Sequence, residues 1–98
     1  MPFFQIIEFQ TDDIDAFRAE VDRWEVESRD FRTATRATLT ADRDNPGTYL
    51  QVVEFPTYDD AMRNSNDPRT AAFAERLMAL AKGPPTFRNL DVLSSEAF

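Results

Sequence analysis

Apolar residues follow two rhythms along this chain. Phe3–Gln10 reads FFQIIEFQ, with Phe3, Gln5, Ile7 and Phe9 on one side and Phe4, Ile6, Glu8 and Gln10 on the other. Both sides are largely apolar, which predicts an interior strand covered on both faces. Thr48–Phe55 predicts the same, carrying Tyr49, Leu50, Val52, Val53 and Phe55 without a break. It is too short for a buried helix, and Pro46-Gly47 and Pro56 bracket it. Phe31–Ala41 alternates and is rich in threonine, the pattern of a strand with one polar face. The cluster Asp42-Arg43-Asp44-Asn45-Pro46-Gly47 turns it back onto the central strand as a long hairpin. Thr86–Leu93 alternates again, and Ser94–Phe98 is a short tail.

The second rhythm is helical. Ile14, Phe17, Val21 and Trp24 form one stripe after a cap at Asp12 or Asp13. Thr57 caps a short helix from Tyr58 to about Asn64, with Asp60 placed to answer the cap. Asn66 or Asp67 caps a second helix that opens on Pro68. Phe73, Leu77, Leu80 and Ala81 line one side of it. Lys82 suits the negative helix end and Gly83 a left-handed cap, and Pro84-Pro85 stop it. The order is β-α-β-β-α-β in a single domain spanning residues 1–98. It predicts an α+β, ferredoxin-like fold with a four-stranded antiparallel sheet and helices on one face. Phe4, Ile6, Leu50 and Val52 would leave the other face too apolar for water. A second copy laid sheet to sheet is the expected cover, giving a homodimeric α/β barrel.

Composition narrows the chemistry. Cysteine and histidine are both absent, so thiol chemistry, a Ser-His-Asp triad and histidine-held metal or haem are excluded. No carboxylate loop has metal-ligand spacing, so no metal is expected. The net charge of −7 disfavours nucleic acid and anionic membranes as partners. No run approaches a membrane span, and Met1-Pro2-Phe3 leads straight into a strand without a signal peptide; a cytoplasmic location is expected.

The run Val52-Val53-Glu54-Phe55-Pro56-Thr57-Tyr58-Asp59-Asp60-Ala61, the broken helix Asn64–Leu80 and the strand after Gly83-Pro84-Pro85 resemble the dimeric α/β-barrel superfamily. The likeness is to its antibiotic-biosynthesis-monooxygenase-like branch. The haem-degrading members of that superfamily carry an Asn on the first strand, a Trp near position 64 and a His in the next helix. This chain has Gln5 or Ile7, Asn64 and no histidine. The resemblance therefore implies the cofactor-free branch, which uses molecular oxygen to convert polycyclic phenols or anthrones to quinones, with no cofactor.

The resemblance also implies a pocket between sheet and helices. Periodicity then gives its walls as Gln5, Ile7, Trp24, Tyr49 and Gln51, with Asn64, Phe73 and Leu77 from the broken helix. Tyr49, Trp24 and Asn64 are the candidate catalytic residues, orienting or stabilising a substrate anion. Gln5, Ile7, Gln51, Phe73 and Leu77 are the candidate substrate-binding residues. Gln5 and Gln51 either pair with each other across strands or line the pocket. Arg36 and Arg88 either clamp an anion or form salt bridges. Glu54, a tyrosine or water is left as proton acceptor. The expected function is a cofactor-independent monooxygenase acting on a small aromatic or polyketide-like substrate. Two alternatives share the fold: a non-catalytic small-molecule-binding or assembly module, and an isomerase or lyase.

Overall fold

The computed structural model describes all residues, Met1–Phe98. Two strands make its centre: β1 (Phe3–Gln10) and β3 (Thr48–Phe55) run antiparallel in full register, from Phe3 opposite Phe55 to Gln10 opposite Thr48. β2 (Arg36–Ala41) pairs with the outer side of β3, and β4 (Thr86–Asp91) with the outer side of β1. The sheet order is β2-β3-β1-β4, all antiparallel. Three helices, α1 (Ile14–Glu27), α2 (Tyr58–Asn66) and α3 (Pro68–Met78), complete the ferredoxin-like plan expected from the pattern.

The caps fall where the sequence puts them. Asp13 accepts from the Ala16 N–H at 3.0 Å and starts α1. Thr57 accepts from the Asp60 N–H at 3.1 Å, and its own hydroxyl donates to the Asp60 carboxylate at 2.9 Å. Asp67 closes α2 and caps α3, accepting from the Arg69 N–H at 2.9 Å. Pro68 at the first helical position gives up no needed hydrogen bond. Gly47, at φ +89°, closes the β2–β3 hairpin, a conformation that disfavours residues with a Cβ.

Four boundaries differ from expectation, each for a local reason. β2 starts at Arg36 rather than Phe31. The last contact there is Thr35 N–H to Glu54 O at 2.8 Å, and β3 ends at Phe55, so earlier residues have no strand to join. Phe31 and Arg32 instead wind on from α1 through N–H bonds to Ser28 O. α2 continues through Asn66 because the stop comes from Asp67-Pro68. α3 ends at Met78, leaving Leu80 and Ala81 in turns tied to β1: the Thr11 hydroxyl donates to Leu80 O and Lys82 N–H to Gln10 O. Lys82 therefore pairs with Asp12, at 3.1 Å, beside the start of α1. β4 stops at Asp91 rather than Leu93, with Val92 still held by Pro2 O.

The core is small and divided. At one end of the β1–β3 pair, Phe3, Phe55 and Ala61 form a buried cluster, with Tyr58 edge-on to Phe3. At the other end Phe9 stacks on Phe17 of α1, with centroids 4.2 Å apart, and on Tyr49 at 5.7 Å. Phe17 is 2% exposed and fastens α1 to the sheet. Phe17→Ala should lower the unfolding free energy by about 3–5 kcal/mol, a large part of a small domain's total. Phe87→Ala, at a ring 53% exposed, should change it by roughly 0.5 kcal/mol or less. Urea unfolding measures both, and equal losses would contradict the divided core.

Candidate ligand-binding site

Between the two aromatic clusters the helices stand off the sheet and leave a partly open cavity of about 580 Å³, within the ~300–1,000 Å³ common for small-molecule sites. Its floor is the middle of the central strands, Gln5 and Ile7 of β1 with Gln51 and Val53 of β3, and Phe87 of β4 adds to the lining. α1 contributes Phe17, Val21 and Trp24. α2 supplies Asn64 and Ser65, and α3 supplies Thr70, Ala71, Phe73, Ala74 and Leu77. The hollow has a sequence cause. The strand positions between the terminal aromatics include two glutamines, and α3 brings alanines and a threonine where large side chains would fill the space.

Trp24 and Phe73 span from α1 to α3 as a parallel stack, 4.6 Å between centroids and 6° between planes. Arg76 reinforces the bridge from outside with ion pairs to Glu20 at 3.2 Å and Glu27 at 3.7 Å. Phe31 meets Trp24 edge-on at 5.4 Å, and the Arg69 guanidinium lies 3.5 Å over the Phe31 ring.

The cavity brings together seven of the eight residues singled out from the sequence: Gln5, Ile7, Trp24, Gln51, Asn64, Phe73 and Leu77. Tyr49 is the exception. It lies two residues further along β3 than Gln51, opposite Phe9, and belongs to the aromatic cluster at that end. Gln5 and Gln51 do not pair with each other. Gln5 donates to Asn89 Oδ1 at 3.3 Å on β4, while Gln51, 9% exposed, has an Oε1 with no partner in the protein. Glu54 lies on the helix-free face, 3.8 Å from Arg36, and Arg88 pairs there with Glu8 at 3.6 Å. Glu54, Arg88 and Glu8 do not line the cavity, and Arg36, which borders it, faces Glu54.

Thr70 is a lining residue that the sequence reading missed. Its Oγ1 is buried without a protein partner, as Gln51 Oε1 is. Its position, three residues before Phe73 and seven before Leu77, puts it on their stripe, and that spacing could have found it. The other charges in the lining include Asp22, Glu25 and Arg32. Hydrogen bonds from Arg29, aided by the charge of Arg32, hold the Glu25 carboxyl below its ordinary pKa, so it is a poor base. Arg32 is engaged by Glu25 O at 2.6 Å and Ser28 Oγ at 3.3 Å. No group of three or more carboxylates stands close enough to hold a metal ion. No helix is long and apolar enough to cross a membrane.

Comparison with solved structures gives the class of fold. SnoaB, a cofactor-independent oxygenase from Streptomyces nogalater, superposes with a TM-score of 0.79 over 96% of this chain and 95% of its own, at 17% identity. Rv0793 from Mycobacterium tuberculosis gives 0.78 over 99% and 100%, also at 17% identity. A structure described as an antibiotic biosynthesis monooxygenase gives 0.73 over 96% and 100%, at 15% identity. The fold is that of the antibiotic-biosynthesis-monooxygenase-like domain, and at these identities the likeness is one of fold. No protein-family model and no curated protein matches the chain.

Asp67 anchors the helix that carries Thr70 and Phe73. The Arg69 side chain, and then its backbone N–H, hold the Asp67 carboxyl below its ordinary 3.8. A depressed carboxylate stabilises the fold above its unfolded-state pKa, and that contribution is lost as pH falls through the folded-state value. Stability should therefore drop below about pH 4 more steeply in the wild type than in Asp67→Asn. Thermal melts at stepped pH, followed by circular dichroism, measure this, and parallel curves would contradict it.

Proposed function

We propose that the cavity binds a small aromatic or polyketide-like molecule, and that the protein acts on it as a cofactor-independent monooxygenase. The observation that carries the reading is the cavity itself: about 580 Å³, lined by 14 hydrophobic residues out of 25, in a fold shared with a cofactor-independent oxygenase. In this reaction an activated methylene of the substrate loses two hydrogens and gains one oxygen atom from O₂. The second oxygen atom leaves as water with those hydrogens. The substrate supplies all four electrons, so no cofactor is required.

In this reading Trp24 and Phe73 hold the flat body of the substrate, while Asn64 and Gln51 orient its polar end. Asp22, a lining carboxylate outside the ion pairs, or water takes the proton in place of Glu54. A second reading, a non-catalytic binding module, draws on the same lining, which has no histidine and whose Glu25 is engaged by arginines. Oxygen uptake over a panel of anthrone-like phenols separates the two. Monooxygenation predicts consumption by metal-stripped protein that falls about 10-fold or more in Asn64→Ala, equivalent to roughly 1.4 kcal/mol in the barrier. Tight binding without uptake would favour the binding module.

The same proposal includes a second copy on the helix-free face. Phe4, Ile6, Leu50 and Val52 are only partly covered there, and Leu90 is 40% exposed. The Arg36–Glu54 and Arg88–Glu8 pairs lie on that face too. An apolar patch with charged pairs beside it suits a two-fold interface. Light scattering should give twice the chain mass, and Ile6→Glu should give the single mass with helical content retained. A monomeric wild type would overturn this part.

A further inference from the structure

From the two orphan polar atoms in the cavity we infer that Gln51 and Thr70 are its specificity-determining residues, selecting an uncharged ligand with a hydrogen-bond donor at one point and an acceptor at another. The inference rests on the reading that the cavity binds a small apolar molecule, and it adds which polar groups that molecule carries.

Gln51 sits mid-strand in β3, opposite Ile7 of β1 and Leu39 of β2. The residues directly opposite therefore offer its amide no polar side chain, and the diagonal neighbour Gln5 bonds Asn89 instead. Gln51 Oε1 is buried, and nothing in the protein donates to it. An amide oxygen can only accept, so its complement is a hydroxyl or N–H on the ligand. Thr70 lies in the first turn of α3, and its Oγ1 is likewise buried and unpartnered. A threonine hydroxyl on a helix commonly donates back to a carbonyl of the preceding turn, and this one does not. Its hydroxyl can donate to a ligand carbonyl or ether oxygen.

A buried polar atom left without a partner is costly, and two in one lining argue for partners that arrive from the cavity. In the free protein that partner is water, and in the complex it is the ligand. The lining also selects against charge. Arg32 is spent on Glu25 and Ser28, Arg36 faces Glu54 at 3.8 Å, and Asp22 and Glu25 are themselves negative. A carboxylate or phosphate entering this space would have to compete with Glu25, Ser28 and Glu54 for the two lining arginines to offset its desolvation.

Three tetralin probes, 6-hydroxy-1-tetralone, its methyl ether and the tetrahydronaphthol lacking the ketone, together with the bicyclic carboxylate 6-hydroxy-2-naphthoate, test the inference by calorimetric titration. The wild type should bind the hydroxyketone about 10-fold more tightly than either neutral analogue. It should bind the carboxylate at least about 10-fold more weakly than the hydroxyketone. Gln51→Met should erase the preference for hydroxyl over methyl ether, leaving the preference for the ketone. Thr70→Val should do the reverse. Because neither polar atom has a protein partner, both variants should melt no lower than the wild type. A lower melting temperature would assign these side chains a structural role and overturn the inference. Equal binding of all three neutral probes would overturn the inference alone, leaving an unselective apolar cavity. No binding by any neutral probe would overturn the ligand-binding reading and this inference with it.

Discussion

The β1–β3 pairing fixes where everything else can stand. Its full register sets Phe3 against Phe55 at one end and Phe9 against Tyr49 at the other, on the side that the helices cover. Each aromatic end holds helical structure close: Ala61 packs into the first cluster and Phe17 stacks on the second. The pairs between them, Gln5 with Val53 and Ile7 with Gln51, carry no aromatic ring and line the cavity. The helices are thus propped at both ends and stand away from the middle. The cavity follows from that spacing, and apolar burial at the ends offsets the loss of dispersion contacts around the hollow.

The same arrangement explains why α3 has no fully buried residue despite a clear apolar stripe. Phe73 and Leu77 face the cavity rather than a packed sheet. Phe73 finds its partner in Trp24, so α1 and α3 touch through one aromatic stack and the ion pairs of Arg76. A roof built this way can adjust to a ligand at lower cost than a close-packed core.

Much of this was legible in the sequence, because period-two and helical spacing report faces directly. Odd-numbered residues of Phe3–Gln10 and Thr48–Phe55 do face the helices, and the caps at Thr57 and Asp67 fall where their chemistry puts them. Periodicity gives a face but not a depth along it. Tyr49 and Gln51 share a side of β3, yet one lies beside Phe9 in the packed end and the other beside Ile7 in the hollow. The alternation of Phe31–Thr35 continues that of β2, but strand structure requires a partner, and β3 ends at Phe55. The partnerless state of Gln51 and Thr70 depends on the helices standing off the sheet, which no local pattern encodes.

Amide and indole chemical-shift mapping during titration with 6-hydroxy-1-tetralone would show whether the space between the aromatic ends receives a ligand. Trp24 is the sole tryptophan, so its indole signal reports on the roof without ambiguity. Binding there should give the largest shifts at Trp24, Gln51, Thr70 and Phe73, with Phe9, Phe17 and the helix-free residues Ile6 and Val52 little changed. Shifts concentrated on Ile6, Val52 and Leu90 would place the ligand on the opposite face of the sheet and contradict binding in the cavity.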